Sequence, residues 1–388
     1  MKLIVKLVLG IAGGILVGLL APEWIIRLLL TFKSLFGQIL FFTIPLLILF
    51  YITSGIAGLP RDSGRLLGTT LALAYASTLV AGVLAFLVAG ALVPVLTSGS
   101  MPAAESDAAA LMPFMTMDVP PLFGIMSALV AAFIFGLGIA ATGAKRLGQL
   151  FDEGRDVIKA LLVSFIIPLL PFYIAGVFAE LAAAGTVFAT LKTFGVVLAM
   201  SVALHWIWIV ALFLLAGIRA RLSPFRLIGG MLPAYFTALG TMSSAATIPV
   251  TLQAVKGNGV RDGVAAFTVP LCATTHLAGS TITIVSCAVA VMILQDGLAL
   301  PSLLGMLPFI MTLGVVMLAA PGVPGGAVMS ALGLLGSMLG FGETALALMI
   351  ALYMAQDSFG TACNVTGDGA IAVLVDSMAP ASLGQERA

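Results

Sequence analysis

Long apolar runs, each closed by a short group of basic, glycine or proline residues, make up almost the whole chain. Charge-free stretches cover 66–104, 160–179, 193–218, 227–255, 263–295 and 297–342, and two more apolar blocks lie near 7–22 and 34–60. A membrane-crossing helix needs about 20 mostly apolar residues. Several runs are longer than one crossing, which predicts hairpins or broken helices within them. Basic residues sort the connections into two kinds. Fourteen of the 17 fall on one alternating side: Lys2, Lys6, Arg61, Arg65, Lys145, Arg146, Arg155, Lys159, Arg219, Arg221, Arg226, Lys256, Arg261 and Arg387. Only Arg27, Lys33 and Lys192 fall on the other, where 97–122 carries Glu105, Asp107 and Asp118 without a Lys or Arg. An excess of Lys and Arg marks cytoplasmic connections. The alternation predicts eight spans, about 3–21, 30–58, 65–97, 120–143, 152–184, 190–218, 262–294 and 343–374, with both termini cytoplasmic. The first is read as a retained helix rather than a signal peptide, because further spans follow at once.

Two apolar segments, 225–256 and 304–340, remain outside these spans, and each has both flanks on one side. The first is interrupted at Thr241-Met242-Ser243-Ser244-Ala245-Ala246-Thr247-Ile248-Pro249, the second at Ala320-Pro321-Gly322-Val323-Pro324-Gly325-Gly326. Non-helical backbone at membrane depth persists only inside protein or beside a wet cavity. Each segment therefore reads as a re-entrant helical hairpin, one from each face. A helix broken near Thr274-Thr275-His276-Leu277-Ala278-Gly279-Ser280-Thr281 follows the first, and a helix with a polar run at 357–368 follows the second. A hairpin followed by a polar-interrupted helix, twice and from opposite faces, is the mark of inverted repeats enclosing a substrate site. The predicted fold is an all-α polytopic membrane protein of eight transmembrane helices and two re-entrant hairpins.

Composition narrows the function. Of 388 residues, 61% are hydrophobic and 9% charged, against about 25% charged in soluble domains. This disfavours a soluble enzyme. A net charge of +1 leaves no electrostatic footprint for nucleic acid. Cys272, Cys287 and Cys363 lie in apolar surroundings and suit small core residues. Asp357, Asn364 and Asp368 are spaced seven and four apart and share one helix face, with Gly360 and Thr361 beside them. A carboxylate at the bilayer centre costs roughly 2.5–3.5 kcal/mol, so two on one helix point to function. The hairpin tips supply unpaired N–H groups at half-helix ends, which receive carboxylates, and Ser243, Ser244 and Thr247 add hydroxyls there. His276, at the broken helix, titrates near pH 6.5 in water and is a candidate proton carrier, or else a neutral histidine bonded to backbone. His205, in His-Trp-Ile-Trp, reads as an interfacial or packing residue.

The chain resembles the dicarboxylate/amino acid:cation symporter family. The resemblance rests on the Ser-Ser-Ala-Ala-Thr-Ile-Pro run at 243–249, on Pro324-Gly325-Gly326, and above all on Asn364-Val365-Thr366-Gly367-Asp368. It implies a homotrimer in the cytoplasmic (inner) membrane. Residues 1–218 would be mainly scaffold, with the third and sixth spans partly in the moving unit, and 219–388 the transport core. It implies substrate contacts from Ser243, Ser244, Thr247, Val323, Gly325, Asp357, Gly360, Thr361 and Asn364, with Asp357 on an ammonium group and main chain at Gly322, Val323 and Gly325 forming the extracellular gate. Cation-site candidates are Ser77, Thr78, Thr274, His276, Asn364 and Asp368, with Na+ at Asn364 and Asp368; a second sodium site, of main-chain carbonyls, would lie near the second hairpin.

The departures shift the substrate. The family's Asn-Met-Asp-Gly-Thr motif is here His276-Leu277-Ala278-Gly279-Ser280, and Gly360 stands where acidic-substrate carriers have an arginine. Gln356-Asp357-Ser358 and Ala278 are nearer the serine/threonine branch, which His276 does not fit. The expected function is a cation-coupled symporter of a small neutral amino acid, with no cofactor and with Na+, or else H+, as coupling ion. A symporter of C4-dicarboxylates or acidic amino acids is the alternative. From another class, an intramembrane hydrolase would use Ser243 or Ser244, His276 and Asp357, but it lacks a nucleophile elbow. A channel is a third option, which the occluding hairpins oppose.

Overall fold

The structure is a computed structural model and describes residues 3–58, 64–97, 111–295, 297–318 and 320–379. Lys2, Arg61, Glu105, Asp107 and Arg387 lie outside the described residues. All regular structure among the described residues is helical. The chain runs α1 (Leu3–Leu20), α2 (Glu23–Ala57), α3 (Gly64–Thr97), α4 (Ile125–Thr142), α5 (Lys145–Leu161), a π-helical turn at Leu162–Ile166, α6 (Ile167–Ala183), α7 (Val187–Ala220), α8 (Pro224–Thr241), α9 (Ser244–Gly257), α10 (Asp262–Thr275), α11 (Ala278–Leu294), α12 (Leu303–Met317), α13 (Gly326–Leu339) and α14 (Glu343–Met378). Seven helical segments among the described residues are long and apolar enough to cross a membrane; the apolar part of α1, Val5–Leu20, is shorter.

The expected eight spans correspond to α1, α2, α3, α4, α5 with α6, α7, α10 with α11, and α14. The two leftover segments fold as helix pairs, α8 with α9 and α12 with α13. Local chemistry sets the first pair. Pro224 opens α8 behind Ser223, where a missing N–H costs no hydrogen bond. Met242 closes the helix in the left-handed region, φ 54°, its N–H bonded to Ala238 O. Ser243 then caps α9, its hydroxyl accepting from Ala246 N. The sequence pattern extends the first break to Pro249, whereas the structure begins α9 at Ser244 and keeps Pro249 inside it. The polar run at 357–368 breaks nothing. α14 is continuous from Glu343 to Met378; Asp357, Asn364 and Asp368 bond to neighbouring segments, while Thr366 bonds back to Ala362 O of its own helix. In contrast, the chain between α10 and α11 leaves helical geometry at His276, φ −108° and ψ 92°.

The helices pack in two groups. In the first, α1 lies on α6, and α2 on α4, α5 and α6. Gly10, Gly14 and Gly18 of α1 face the backbone of Pro171, Ala175 and Ala179, small-residue packing typical of lipid-embedded helices. In the second, α14 runs through the middle, buried along nearly its whole length, against α7, α8, α9, α10 and α11. α3 packs mainly on α11 and α7, so it joins this second group. Polar and charged groups join neighbouring helices: Lys33 of α2 pairs with Glu180 of α6, Ser54 of α2 bonds Asp152 and Arg155 of α5, and Arg261 pairs with Asp376 of α14.

Candidate functional site

The two hairpin tips meet. The Ser243 hydroxyl donates to Gly322 O at 2.8 Å, across from the first hairpin to the second. Thr247, buried one turn into α9, donates to Ser243 O at 2.8 Å and lies 3.3 Å from the Thr241 hydroxyl. Ser244 is also buried. The start of α9 therefore presents hydroxyls and a positive helix end towards the second tip. There, the Gly326 N–H closes a turn on Val323 O at 2.9 Å. Gly325 is left-handed, φ 74°, and its N–H donates to Asp357 Oδ2 at 2.7 Å.

Asp357 is 4% exposed, and no ion pair among the described residues reaches it. Tyr353 and Thr361, one helical turn before and after, flank it on α14. The Tyr353 hydroxyl faces Asp357 and Ser280 without closing a hydrogen bond of ordinary geometry to either. The site thus holds a buried carboxylate, one backbone donor from the hairpin tip, and the Tyr353 and Thr361 hydroxyls beside it on α14.

Two turns further on, α14 meets the α10–α11 break. Residues opening α11 have N–H groups with no partner inside their own helix. Asn364 supplies it: its Oδ1 accepts from Gly279 N at 2.7 Å and Ser280 N at 3.2 Å, while its Nδ2 donates to Ser280 Oγ at 2.9 Å. Asp368 Oδ1 lies 2.9 Å from His276 Nδ1, and His276 Nε2 lies 2.8 Å from Ser77 Oγ of α3. A second histidine backs the break: His205 Nε2 lies 3.1 Å from both Gly279 O and Thr283 Oγ1.

The expected residues separate by place. Ser243, Ser244, Thr247, Val323, Gly325 and Asp357 gather at the tips, with Thr361 beside Asp357, whereas Ser77, His276, Asn364 and Asp368 gather at the break. Three stand apart. Thr274 is exposed and bonds back to Leu271 O of its own helix. Thr78 likewise bonds to Ala74 O. Gly360 faces α11, where a Cβ would meet Thr283 Oγ1 at 3.2 Å and Gly279 O at 3.5 Å. Histidine 276 bonds two side chains, so the expectation of a backbone partner is replaced. His205 is buried at 2% exposure, packed against the break and bonded to Gly279 O and Thr283 Oγ1. The hydrolase arrangement is not assembled: Ser243 bonds Gly322, Asp357 bonds Gly325 and His276 bonds Ser77 and Asp368. Thr283 and Tyr353 are not legible as site residues from the sequence, since a hydroxyl in an apolar run carries no signal until its partner is known; Gly279 and Ser280 lie in the legible motif at 276–280, but not as the partners of Asn364. Cys272, Cys287 and Cys363 are buried free thiols, as their surroundings predict.

Paired helical hairpins meeting at a buried carboxylate, among helices long and apolar enough to cross a membrane, define a polytopic membrane protein. The chain belongs to the sodium:dicarboxylate symporter family, whose model matches residues 3–378. It is 31% identical to the serine/threonine transporter SstT of Streptococcus suis (strain 05ZYH33) over 301 residues, 73% of this chain and 81% of that one. It is 28% identical to the neutral amino acid transporter B(0) of Bos taurus over 260 residues, 65% of this chain and 47% of the relative. Excitatory amino acid transporter 1 of Bos taurus is 28% identical over 250 residues, 63% of this chain and 45% of the relative. The chain spans about half the length of these mammalian relatives.

Proposed function

We propose that the protein is a cation-coupled symporter of a small neutral amino acid such as serine, threonine or alanine, working by an elevator movement. The observation that carries this reading is Asp357: a buried carboxylate at the meeting of the hairpin tips, held by one N–H of the second tip and, among the described residues, by no cationic side chain. A buried charge left unpaired is costly, and a substrate ammonium supplies the missing partner. The substrate carboxylate then meets the start of α9, with Ser243, Ser244 and Thr247, and the main chain of Val323 and Gly325. Thr361 stands beside Asp357 on α14, while Gly360 faces α11 and Asn364 is engaged at the α10–α11 break. Gly360 offers no second cation, and Asp357 repels a second carboxylate, which disfavours aspartate and C4-dicarboxylates.

The moving unit is residues 219–388 with α3 and α7, and the scaffold is the remainder of 1–218. The α3 and α7 packing against α11 and α14 supports this division. We place the protein in the cytoplasmic membrane as a homotrimer with both termini inside. Sodium is the coupling ion, as the family description supports. We assign it to main-chain carbonyls near the second hairpin. Asn364 and Asp368 fit it poorly, since the Asn364 oxygen already accepts two N–H groups and Asp368 faces a ring nitrogen.

The test is uptake of labelled serine, alanine, aspartate and succinate into proteoliposomes, with a sodium gradient at fixed pH or a pH gradient without sodium. Sodium-driven serine or alanine uptake exceeding that of aspartate is expected. Uptake of aspartate or succinate alone overturns the substrate, and full activity without sodium overturns the ion.

A further inference from the structure

The buried triad at the helix break joins three segments distant in sequence: Ser77 on α3, His276 between α10 and α11, and Asp368 on α14. The His276 side chain is 0% exposed and that of Asp368 1%. The ring is enclosed on its carbon side as well. A Cβ on Gly367 would stand 2.7 Å from His276 Cε1, and that same Cβ position lies 3.4 Å from Leu212 Cδ1 of α7. The next residues, Leu277 and Ala278, bring no oxygen-bearing side chain, and no group of three His, Cys, Asp or Glu residues forms a metal site among the described residues.

An ionised carboxylate inside a membrane needs a partner. That partner is either an exchangeable cation from solution or a fixed group of the protein. Here it is a side chain. Whether the imidazole is neutral or charged, Nδ1 can present an N–H to Asp368, and Nε2 exchanges a hydrogen bond with the Ser77 hydroxyl. The ring fills the space directly against Asp368 Oδ1 in which an ion bonded to that oxygen has to stand. A nitrogen ring is also a poor neighbour for a hard alkali cation, which takes oxygen donors.

We propose that His276 is a tethered replacement for a coupling cation, bridging Asp368 to Ser77 so that Asp368 binds no exchangeable ion. The triad is a permanent clasp between α3 and the α10, α11 and α14 cluster. Sodium enters the cycle elsewhere, and fewer ions accompany each substrate than if Asp368 were a ligand. The inference rests on the sodium-coupled reading of this same site, and its test separates the two.

Binding of radiolabelled L-serine to the purified full-length protein is measured over a range of NaCl, with choline chloride holding ionic strength. Each sodium bound with the substrate makes log Kd fall by one more unit per decade of sodium concentration. H276N removes the ring and leaves Asp368 to recruit an ion. Its slope is expected to be steeper than wild type by about one, so a tenfold dilution of sodium costs the variant roughly an extra factor of ten in affinity. In parallel, NaCl should raise the melting temperature of substrate-free H276N more than that of wild type. D368N keeps the shape of the carboxylate and serves where H276N does not fold; its slope should equal that of wild type. Equal slopes for wild type and H276N with equal melting shifts, or a D368N slope lower by one, overturn the clasp while sodium coupling stands. A wild-type slope of zero with a gain in H276N overturns sodium coupling while the clasp stands. Zero slopes and no melting shift in both overturn both.

Discussion

Asp357 and Asn364 lie seven residues apart on one face of α14 and meet opposite needs. Asp357 keeps a charge available: one backbone N–H holds it at 2.7 Å. Asn364 is engaged at both ends, its oxygen accepting from the Gly279 and Ser280 N–H groups and its nitrogen donating to the Ser280 hydroxyl. Replacing them should therefore fail in different assays. Asp357→Asn can still accept from Gly325 but cannot pair with an ammonium. Truncating one partner of a buried ion pair costs about 3–5 kcal/mol, so serine affinity by calorimetry should fall at least a hundredfold, while the gel-filtration profile is unchanged. Near-normal affinity would remove the ammonium from this site. Asn364→Ala leaves two buried N–H groups without an acceptor, at about 1–3 kcal/mol each. Its melting temperature should drop well below wild type, and Asn364→Asp, which still accepts both, should lie between. The reverse order would show that the amide caps nothing. Sequence spacing placed both side chains on one helix face, but it carried no information about which was spoken for.

At the scale of elements, α11 and α14 approach until backbones touch. A Cβ on Gly279 would run into Gly360 O and stand 2.6 Å from Cys363 Cβ, so no rotation of a side chain relieves it. Gly279→Ala should give no folded protein in detergent. Gly360→Ala meets Thr283 Oγ1 at 3.2 Å, which a hydroxyl can yield to, and should fold with a lowered melting temperature. The order of the two alanine variants is the measurement; equal behaviour would contradict the packing. Arginine at 360 looks, from the sequence, like a route to acidic substrates. Its stem would instead point at α11, so Gly360→Arg should lose folding before it gains aspartate binding. Gly325 belongs to the second hairpin in the same way: its φ of 74° costs an ordinary residue roughly 1–2 kcal/mol, and a Cβ there would lie 2.7 Å from Met354 Sδ. Gly325→Ala should weaken serine binding by loosening the N–H that reaches Asp357, with little change in assembly.

Across the whole molecule, the carrier reading requires the hairpin tips to part. The contact from the Ser243 hydroxyl to Gly322 O joins the two hairpins, and it should hold the protein shut if made permanent. A cysteine pair at 243 and 322, bridged by mercury, should stop serine uptake, and a thiol reductant should restore it. The native thiols are buried, so the unsubstituted protein is the control. Uptake that persists through bridging would mean that the tips need not separate.

Period and punctuation in the sequence were enough for the architecture. Apolar runs of one or two membrane thicknesses, basic clusters on alternate sides and small or proline residues in mid-run outline the helices and the two hairpins, because lipid permits so few backbone arrangements; of the eight expected spans, seven are long and apolar enough to cross among the described residues and the first is shorter. The same pattern located the break at His276 and the polar face at 357–368. Only the tertiary structure decided what those polar groups bond to. α14 stays whole where α10 and α11 part, and its Asn364 and Asp368 bond to the broken neighbour. Ser77 lies 199 residues from His276, and Gly360 turns to α11 rather than to the tips. Such pairings depend on how helices distant in the chain are packed, and no local pattern of hydrophobic and polar residues encodes that distance.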